Sequence, residues 1–543
     1  MTYTVAQYIV DSLIANGINH LYCLPGVQND DFFDALYDKQ DQLTPIHTRH
    51  EQGAAYMAMG AAMATGKPQA FSIVPGPGFL NGCAALSTAY AVNAPVLALI
   101  GQIPSGAIGK DFGLLHEIND QLDILKNLTK HAECTTSGES AVSVVSNALR
   151  QLQSGRPRPI GIETPVNVWN QALPSPPADL LIEADANPLV SSDAITQAAQ
   201  LIEQAKRPLI VVGSGAQNSS TAITELAERI SAPVAAFRTG HGVISSDHEL
   251  SICLPEAHDL WAHCDLVIGL GTRLQTQQMQ WGIDDDLKII HIDIDEAVIG
   301  RIHQPTLGMH AALEDALPLL LNAAQDTQSR NDWLASIAET KARFSALYEA
   351  QLAPQLQWLK VIRDELPSEG IFVDELTQVG YVSRFAFPAY LPRTFLSTGY
   401  QGTLGWGIAT ALGAAHARQD VPVVSISGDG GALYTISELA TAAHHNIPLT
   451  CIIFKDNAFG NVKRFQIENY NNRPIASDLS SPDFVKLAES FGVRGLRANT
   501  PEELRGHLKN VLFDNAPTVI EVPVGEFPSP WEFILMPKVR CVQ

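Results

Sequence analysis

Short apolar, β-branched runs alternate along this chain with longer stretches in which apolar residues return every three or four positions. An amphipathic helix over 5–16 leads to strand His20–Leu24, a Pro25-Gly26 turn, helix 30–38, strand Thr44–Thr48 and a helix that starts at Glu51. Further strands are expected at Ala70–Val74, Val96–Ile100 and Pro159–Glu163. Such alternation predicts a doubly wound parallel sheet, whose ligands lie beyond the carboxyl ends of the strands. The turns at Pro25-Gly26, His50-Glu51, Pro75–Gly78 and Gly101-Gln102 therefore carry most weight.

The pattern recurs twice. Within Asn170–Asn187, Pro174-Ser-Pro-Pro177 reads as a linker. Beyond it RPLIVVGSGAQNSS, CDLVIGLGTR and LKIIHIDID each pair a buried-strand run with polar or glycine turn chemistry. A charged helical connection, Asp326–Glu365, precedes a third α/β stretch. The expected class is α/β, with three doubly wound parallel-sheet domains at 1–170, 188–325 and 355–543. The 543 residues suit about three domains.

Composition narrows the partners. A net charge of -22 disfavours nucleic acid and anionic membrane surfaces. No apolar run approaches the ~18 residues of a membrane span. The N-terminus opens on an amphipathic helix rather than a targeting pattern. Seven scattered cysteines make no disulfide framework, so a reducing cytoplasm is expected.

The densest chemistry lies in Val423–Gly460, a strand, glycine turn, helix and second strand. Gly428, Gly430 and Gly431 let backbone N–H groups approach an anion, while Asp429 offers a hard carboxylate oxygen. Asn457 arrives at the tip of the return strand, where its amide oxygen can share a cation with Asp429. Oxygen-only ligation of this kind suits Mg2+ bridging to a diphosphate. In the middle stretch Gly213-Ser-Gly215 lacks the third glycine of a dinucleotide turn and favours a spacer over a nucleotide site.

The Val423–Gly460 block resembles the thiamine diphosphate fingerprint of the acetolactate synthase, pyruvate decarboxylase and benzoylformate decarboxylase superfamily, with Asp456-Asn457 in place of its paired asparagines. An ionised Asp456 could not donate the hydrogen bond an asparagine gives there. The resemblance implies the Phe459 carbonyl as third metal ligand beside Asp429 and Asn457. RHEQGAAYMAMGAA is similar to the family's pyrimidine-binding segment. That makes Glu51, otherwise a helix-dipole carboxylate, the group that hydrogen-bonds the aminopyrimidine and relays its proton. Small residues along that helix predict close packing against another helix, with a subunit interface as one candidate. By the same resemblance the Gly402 carbonyl and Leu404 hold the cofactor bent, and Thr377 and Gln378 align with diphosphate contacts. His116 aligns where relatives place a glutamine or histidine beside the reacting carbonyl.

The function so implied is thiamine diphosphate- and Mg2+-dependent non-oxidative decarboxylation of a 2-oxo acid through an enamine, in the manner of benzoylformate decarboxylase. The alternatives are carboligation of acetolactate synthase type and a non-catalytic cofactor-binding paralogue. The specific templates each depart somewhere: Ser72 replaces a characteristic histidine, and His116-Glu117 replaces a histidine pair. FAD in the middle domain is an unfavoured further cofactor. A homodimer at minimum, and a homotetramer by expectation, follow because the family builds its site between subunits.

Overall fold

Strands such as Pro208–Val212 and Leu266–Leu270 are buried at every position, which requires layers on both faces of a sheet. The computed structural model describes residues 3–173, 178–324 and 330–541, so Pro174–Pro177 lies outside the described residues. It contains three six-stranded sheets in which every strand pairing is parallel.

The first sheet runs β2-β1-β3-β4-β6-β5, with β1 His20–Cys23, β2 Thr44–His47, β3 Gln69–Ile73, β4 Val96–Gln102, β5 His131–Cys134 and β6 Ile160–Pro165. The second runs β12-β11-β10-β7-β8-β9, with β7 Pro208–Val212, β8 Val234–Ala236, β9 Ser251–Ile252, β10 Leu266–Leu270, β11 Lys288–Asp293 and β12 Leu307–His310. The third runs β14-β13-β15-β16-β18-β17, with β13 Ile371–Val373, β14 Phe395–Leu396, β15 Val423–Gly428, β16 Thr450–Lys455, β17 Arg494–Arg497 and β18 Thr518–Pro523.

The first and third units share one continuous hydrophobic core, which includes Tyr56, Met57, Trp406 and Ile408. Its centre is the helix Glu51–Thr65 against the helix Gly407–Ala417 of the same chain. A Cβ on Gly60 would stand 1.9 Å from the Thr410 carbonyl oxygen, and one on Gly413 1.9 Å from the Met57 carbonyl oxygen. The small residues expected to admit another helix thus do so inside one chain. Glu438 adds a polar tie, accepting from the Arg49 N–H.

The helix Asn331–Glu365 bridges the second and third units. Its first half meets the middle unit, where Tyr348 donates to Glu256 at 2.9 Å. Leu352 leaves helical geometry just before Pro354, whose ring cannot fit a regular turn. Arg505 then pairs with Asp364 and Glu365. Among the described residues no helix is long and apolar enough to cross a membrane.

Candidate active site

Three groups of residues collect at the carboxyl edges of the first and third sheets. In the first sheet, β2 delivers Thr48-Arg49-His50 into the helix Glu51–Thr65. Glu51 keeps only 14% of its side chain exposed and accepts from Asn81 Nδ2 at 3.0 Å. It faces the Gly76–Gly78 turn, where a Cβ on Gly78 would approach its Oε1 to 3.3 Å. The other side of that turn carries His116: a Cβ on Gly76 would stand 2.3 Å from the His116 carbonyl oxygen. Gly76 has φ +60, which favours glycine. One turn thus brings His116 to the neighbourhood of Glu51. Gln28 donates to the Leu115 carbonyl, so its Oε1 meets His116 Nδ1 at 3.1 Å and calls for a hydrogen on that nitrogen.

The second group lies before the helix Gly407–Ala417. Gly402 has φ +57 and open space where a Cβ would go. Leu404 reaches the next loop, its Cδ1 3.3 Å from the Cβ position of Gly431. Beneath both sits Glu375, fully buried just past β13. It accepts from the Gly405 N–H at 2.5 Å and from Ser427 Oγ at 2.6 Å. Burial pushes its carboxyl up to about 7.

The third group is the end of β15 and β16. Asp429 is buried, and its Oδ2 accepts from the Asn457 backbone N–H at 3.0 Å and from Ser481 Oγ at 2.5 Å. Asn457 holds φ +57, a conformation asparagine tolerates. Among the described residues its side-chain amide has no hydrogen-bond partner. Phe459 stacks its ring where a Cβ on Gly430 would collide, and its backbone N–H is bound to Ser477. Thr377 packs against Gly428, 3.6 Å from its Cβ position. Gln378 donates to Asp456 Oδ2 at 2.8 Å and accepts from Phe527 N–H, so its amide holds Asp456 and the C-terminal tail.

Burial, then the charge of Asp429, lifts the Asp456 carboxyl to about 6. Asp456 therefore holds a proton far more readily than its place in the sequence suggests. Among the described residues no lysine or arginine forms an ion pair with Asp429 or Asp456. Two adjoining carboxyls without a cation, a free amide beside them and glycine backbone in front make a donor set that fits a divalent cation and the diphosphate it would bridge.

Glu375 and Ser481 carry no motif that marks them in the sequence. Ser481 lies 52 positions from Asp429 in a loop. Glu375 has one local signal, as an acid immediately past an apolar strand at the ligand edge. Among the described residues no hydrogen bond joins Glu51 to the Asp429 group. The tail straps the third unit to the second: Trp531 Nε1 donates to Asn461 at 2.7 Å, and Arg540 pairs with Asp284 at 2.8 Å.

At the carboxyl edge of the second sheet a cavity of about 760 Å³ opens between all three units. Arg156, Arg238 and Arg273 line it beside the Gly213–Gly215 turn. Its volume suits an organic ligand of nucleotide size.

Comparison with known proteins agrees along the whole chain. Residues 3–126 match the thiamine pyrophosphate enzyme N-terminal TPP binding domain, 195–320 the central domain and 377–522 the C-terminal TPP binding domain. The probable acetolactate synthase large subunit of Methanocaldococcus jannaschii is 32% identical, over 96% of this chain and 91% of its own. The acetolactate synthase isozyme 1 large subunit of Escherichia coli is 29% identical, over 96% and 94%. The probable 2-ketoarginine decarboxylase of Pseudomonas aeruginosa is 28% identical over the same shares.

Proposed function

The chain belongs to the thiamine pyrophosphate enzymes, and from that premise we propose that it is a thiamine diphosphate- and Mg2+-dependent carboligase of acetolactate synthase type, joining a 2-oxo acid to a second carbonyl compound. The observation that carries this reading is full-length similarity to several acetolactate synthase large subunits. It takes precedence over the benzoylformate decarboxylase-like reading, which rests on the sequence motifs alone. Simple decarboxylation remains the second reading, supported by likeness to the 2-ketoarginine decarboxylase.

When bound, thiamine diphosphate supplies the carbon nucleophile and the electron sink that 2-oxo acid chemistry needs. The protein's part is to hold and to move protons. Asp429, the Asn457 amide and the Phe459 carbonyl would ligate Mg2+. Gly428, Gly430 and Gly431 leave backbone N–H groups clear for the diphosphate, and Thr377 closes that side against Gly428. Asp456, steadied by Gln378, supports Asp429 from behind. Leu404 and the Gly402 carbonyl would shape and orient the rings. Glu51 would exchange a proton with the aminopyrimidine, and His116 would hydrogen-bond the reacting oxygen or deliver the proton that ends the cycle as aldehyde.

Completing this set requires Glu51 of one chain to meet Asp429 of another, so a homodimer is the minimal active unit and a homotetramer the larger assembly. Mixing inactive Glu51→Gln and Asp429→Asn chains should then restore part of the activity. The three arginines favour an anionic nucleotide in the middle cavity over an empty spacer, and FAD is the first ligand to test by equilibrium dialysis.

The deciding experiment supplies the holoenzyme with a panel of 2-oxo acids, with and without acceptor carbonyls, and measures CO2 and organic product together. Carboligation predicts 2-hydroxyketone as the main product. Aldehyde as the sole product with every acceptor would replace the first reading by the second. No CO2 from any 2-oxo acid would remove both.

A further inference from the structure

Away from the diphosphate end, three imidazoles from two domains converge. His47 closes β2, four residues before Glu51, while His444 and His445 end the helix Leu439–His444 and its C-cap. Asp429 opens the helix Asp429–Thr435, whereas His444 ends a later one, Leu439–His444, beyond the non-helical Thr435, and among the described residues no hydrogen bond joins the three imidazoles to the Asp429 group. The rings meet edge to face, with centroids 4.6 Å apart for His47 and His444, 4.8 Å for His47 and His445, and 4.8 Å for His444 and His445. One ring nitrogen from each can be chosen so that all three lie within 4.8 Å of one another.

We propose that His47, His444 and His445 form a transition-metal site of the zinc type, which pins the strand leading to Glu51 onto the third domain. Three imidazoles without a thiolate or carboxylate form a donor set that suits Zn2+, Ni2+ or Cu2+ rather than Mg2+. Tetrahedral ligation at the usual zinc–nitrogen length places ligand atoms about 3.4 Å apart. Small rotations of the rings close the gap from 4.8 Å, and His444, which is exposed, is free to make them. Its exposure also leaves a fourth position open to water.

Two further features fit. Among the described residues His445 Nε2 is buried without a hydrogen-bond partner, an orphaned nitrogen at this seam. Burial also keeps the His47 and His445 rings in the neutral form that binds metal, with the His445 ring held down to about 4. Edge-to-face packing satisfies the ring faces and edges, but it leaves the nitrogen lone pairs unused, whereas a cation engages them. Arg49 lies close enough to oppose a cation, so binding should be moderate rather than permanent. The ligated state would fix the entry to the Glu51 helix, adding to the tie between Glu438 and Arg49.

The test uses untagged holoenzyme loaded with thiamine diphosphate and Mg2+, which keeps the Asp429 group occupied. Titration with Co2+ should give a visible absorption band of tetrahedral intensity that saturates at one ion per chain, and Zn2+ should displace it. His444→Ala, at an exposed position where folding is safe, should weaken Co2+ binding at least about tenfold. His445→Gln should do the same. Both variants should keep their Mg2+-dependent cofactor binding. Absence of a saturable Co2+ band, or a band unchanged in His444→Ala, would overturn the site.

Discussion

The Glu375 carboxylate lies directly under Gly431: a Cβ on that glycine would stand 2.3 Å from Oε1. Among the described residues this buried acid has no cationic partner, and it supports both the Leu404 loop and the glycine turn, through Gly405 and Ser427. Burial raises its carboxyl from the ordinary 4.5 to about 7. The folded chain therefore holds a proton that the unfolded chain has released across that window. Stability falls as pH rises from 4.5 to 7, by up to about 3 kcal/mol in order of magnitude. Glu375→Gln keeps the shape and stays neutral, so it should match the parent near pH 4.5 and melt higher at about pH 8. Melting temperatures of the cofactor-free protein across this range check the sign. A parent-minus-variant difference that does not change with pH would contradict it.

Gly413→Ala should damage the seam between the first and third domains. The added methyl meets the Met57 carbonyl, a backbone atom inside a packed helix pair, and overpacking of this kind costs about 1–3 kcal/mol or more. Gly506→Ala is the matched control: it lies in the helix Pro501–Val511, with nothing within 4 Å of the new Cβ. That change should be neutral or stabilising by up to about 1 kcal/mol. Differential scanning fluorimetry of the pair should show a lower melting point only for Gly413→Ala.

Much of the architecture is legible in the amino-acid sequence, and the reason is local. β1, β3, β4, β7, β10, β15 and β16 are apolar runs closed by glycine or polar turns, so both period and punctuation mark them. The edges are not. β5 is only partly buried and β17 reads Arg-Gly-Leu-Arg with both ends exposed. Such strands owe their conformation to the neighbour they pair with. The site divides in the same way. Asp429 and Asn457 announce themselves through spacing, whereas Ser481 and the burial of Glu375 depend on chain brought from elsewhere. His444-His445 is visible as a pair, but the third ring, His47, comes from another domain.

Asp429→Ala should lower Mg2+-dependent retention of thiamine diphosphate by at least about 100-fold, since loss of a metal's supporting shell alone costs roughly 10–100-fold. Asp429→Asn retains the shape and guards against misfolding as the cause. Both are to be compared with the parent by cofactor release on gel filtration, with and without EDTA. Retention equal to the parent in either variant would place the metal elsewhere. Removing this side chain also takes away the charge and hydrogen bond of Asp429 that add to burial in lifting Asp456, whose carboxyl should then titrate below 6.

Glu51→Gln preserves an acceptor for Asn81 but cannot relay a proton. Cofactor affinity should change little, while exchange of the thiazolium C2 proton, followed by NMR after acid quench, should slow by roughly 10²–10⁴-fold. Unchanged exchange would reduce Glu51 to a carboxylate that serves its own helix.

On the proposed function, His116 should decide how the cycle ends. Its backbone, at φ +66, is fitted against Gly76, and its ring is oriented by Gln28. With hydrogen on Nδ1, the neutral tautomer leaves Nε2 as a base, and the protonated ring makes that same nitrogen an acid. His116→Gln removes proton delivery yet keeps a hydrogen-bond donor, and glutamine is one of the two residues, with histidine, that the family resemblance implies at this position. The variant should bind cofactor normally, form 2-hydroxyketone at a comparable rate, and release aldehyde at least about tenfold more slowly. His116→Ala should lose the hydrogen bond to the reacting oxygen as well, so both products should fall. Gln28→Ala supplies the control for orientation, because it frees the ring without removing it and should give an intermediate product ratio. If all three variants kept the parent's rate and ratio on every active 2-oxo acid, His116 would be a loop residue whose only task is the turn at Gly76.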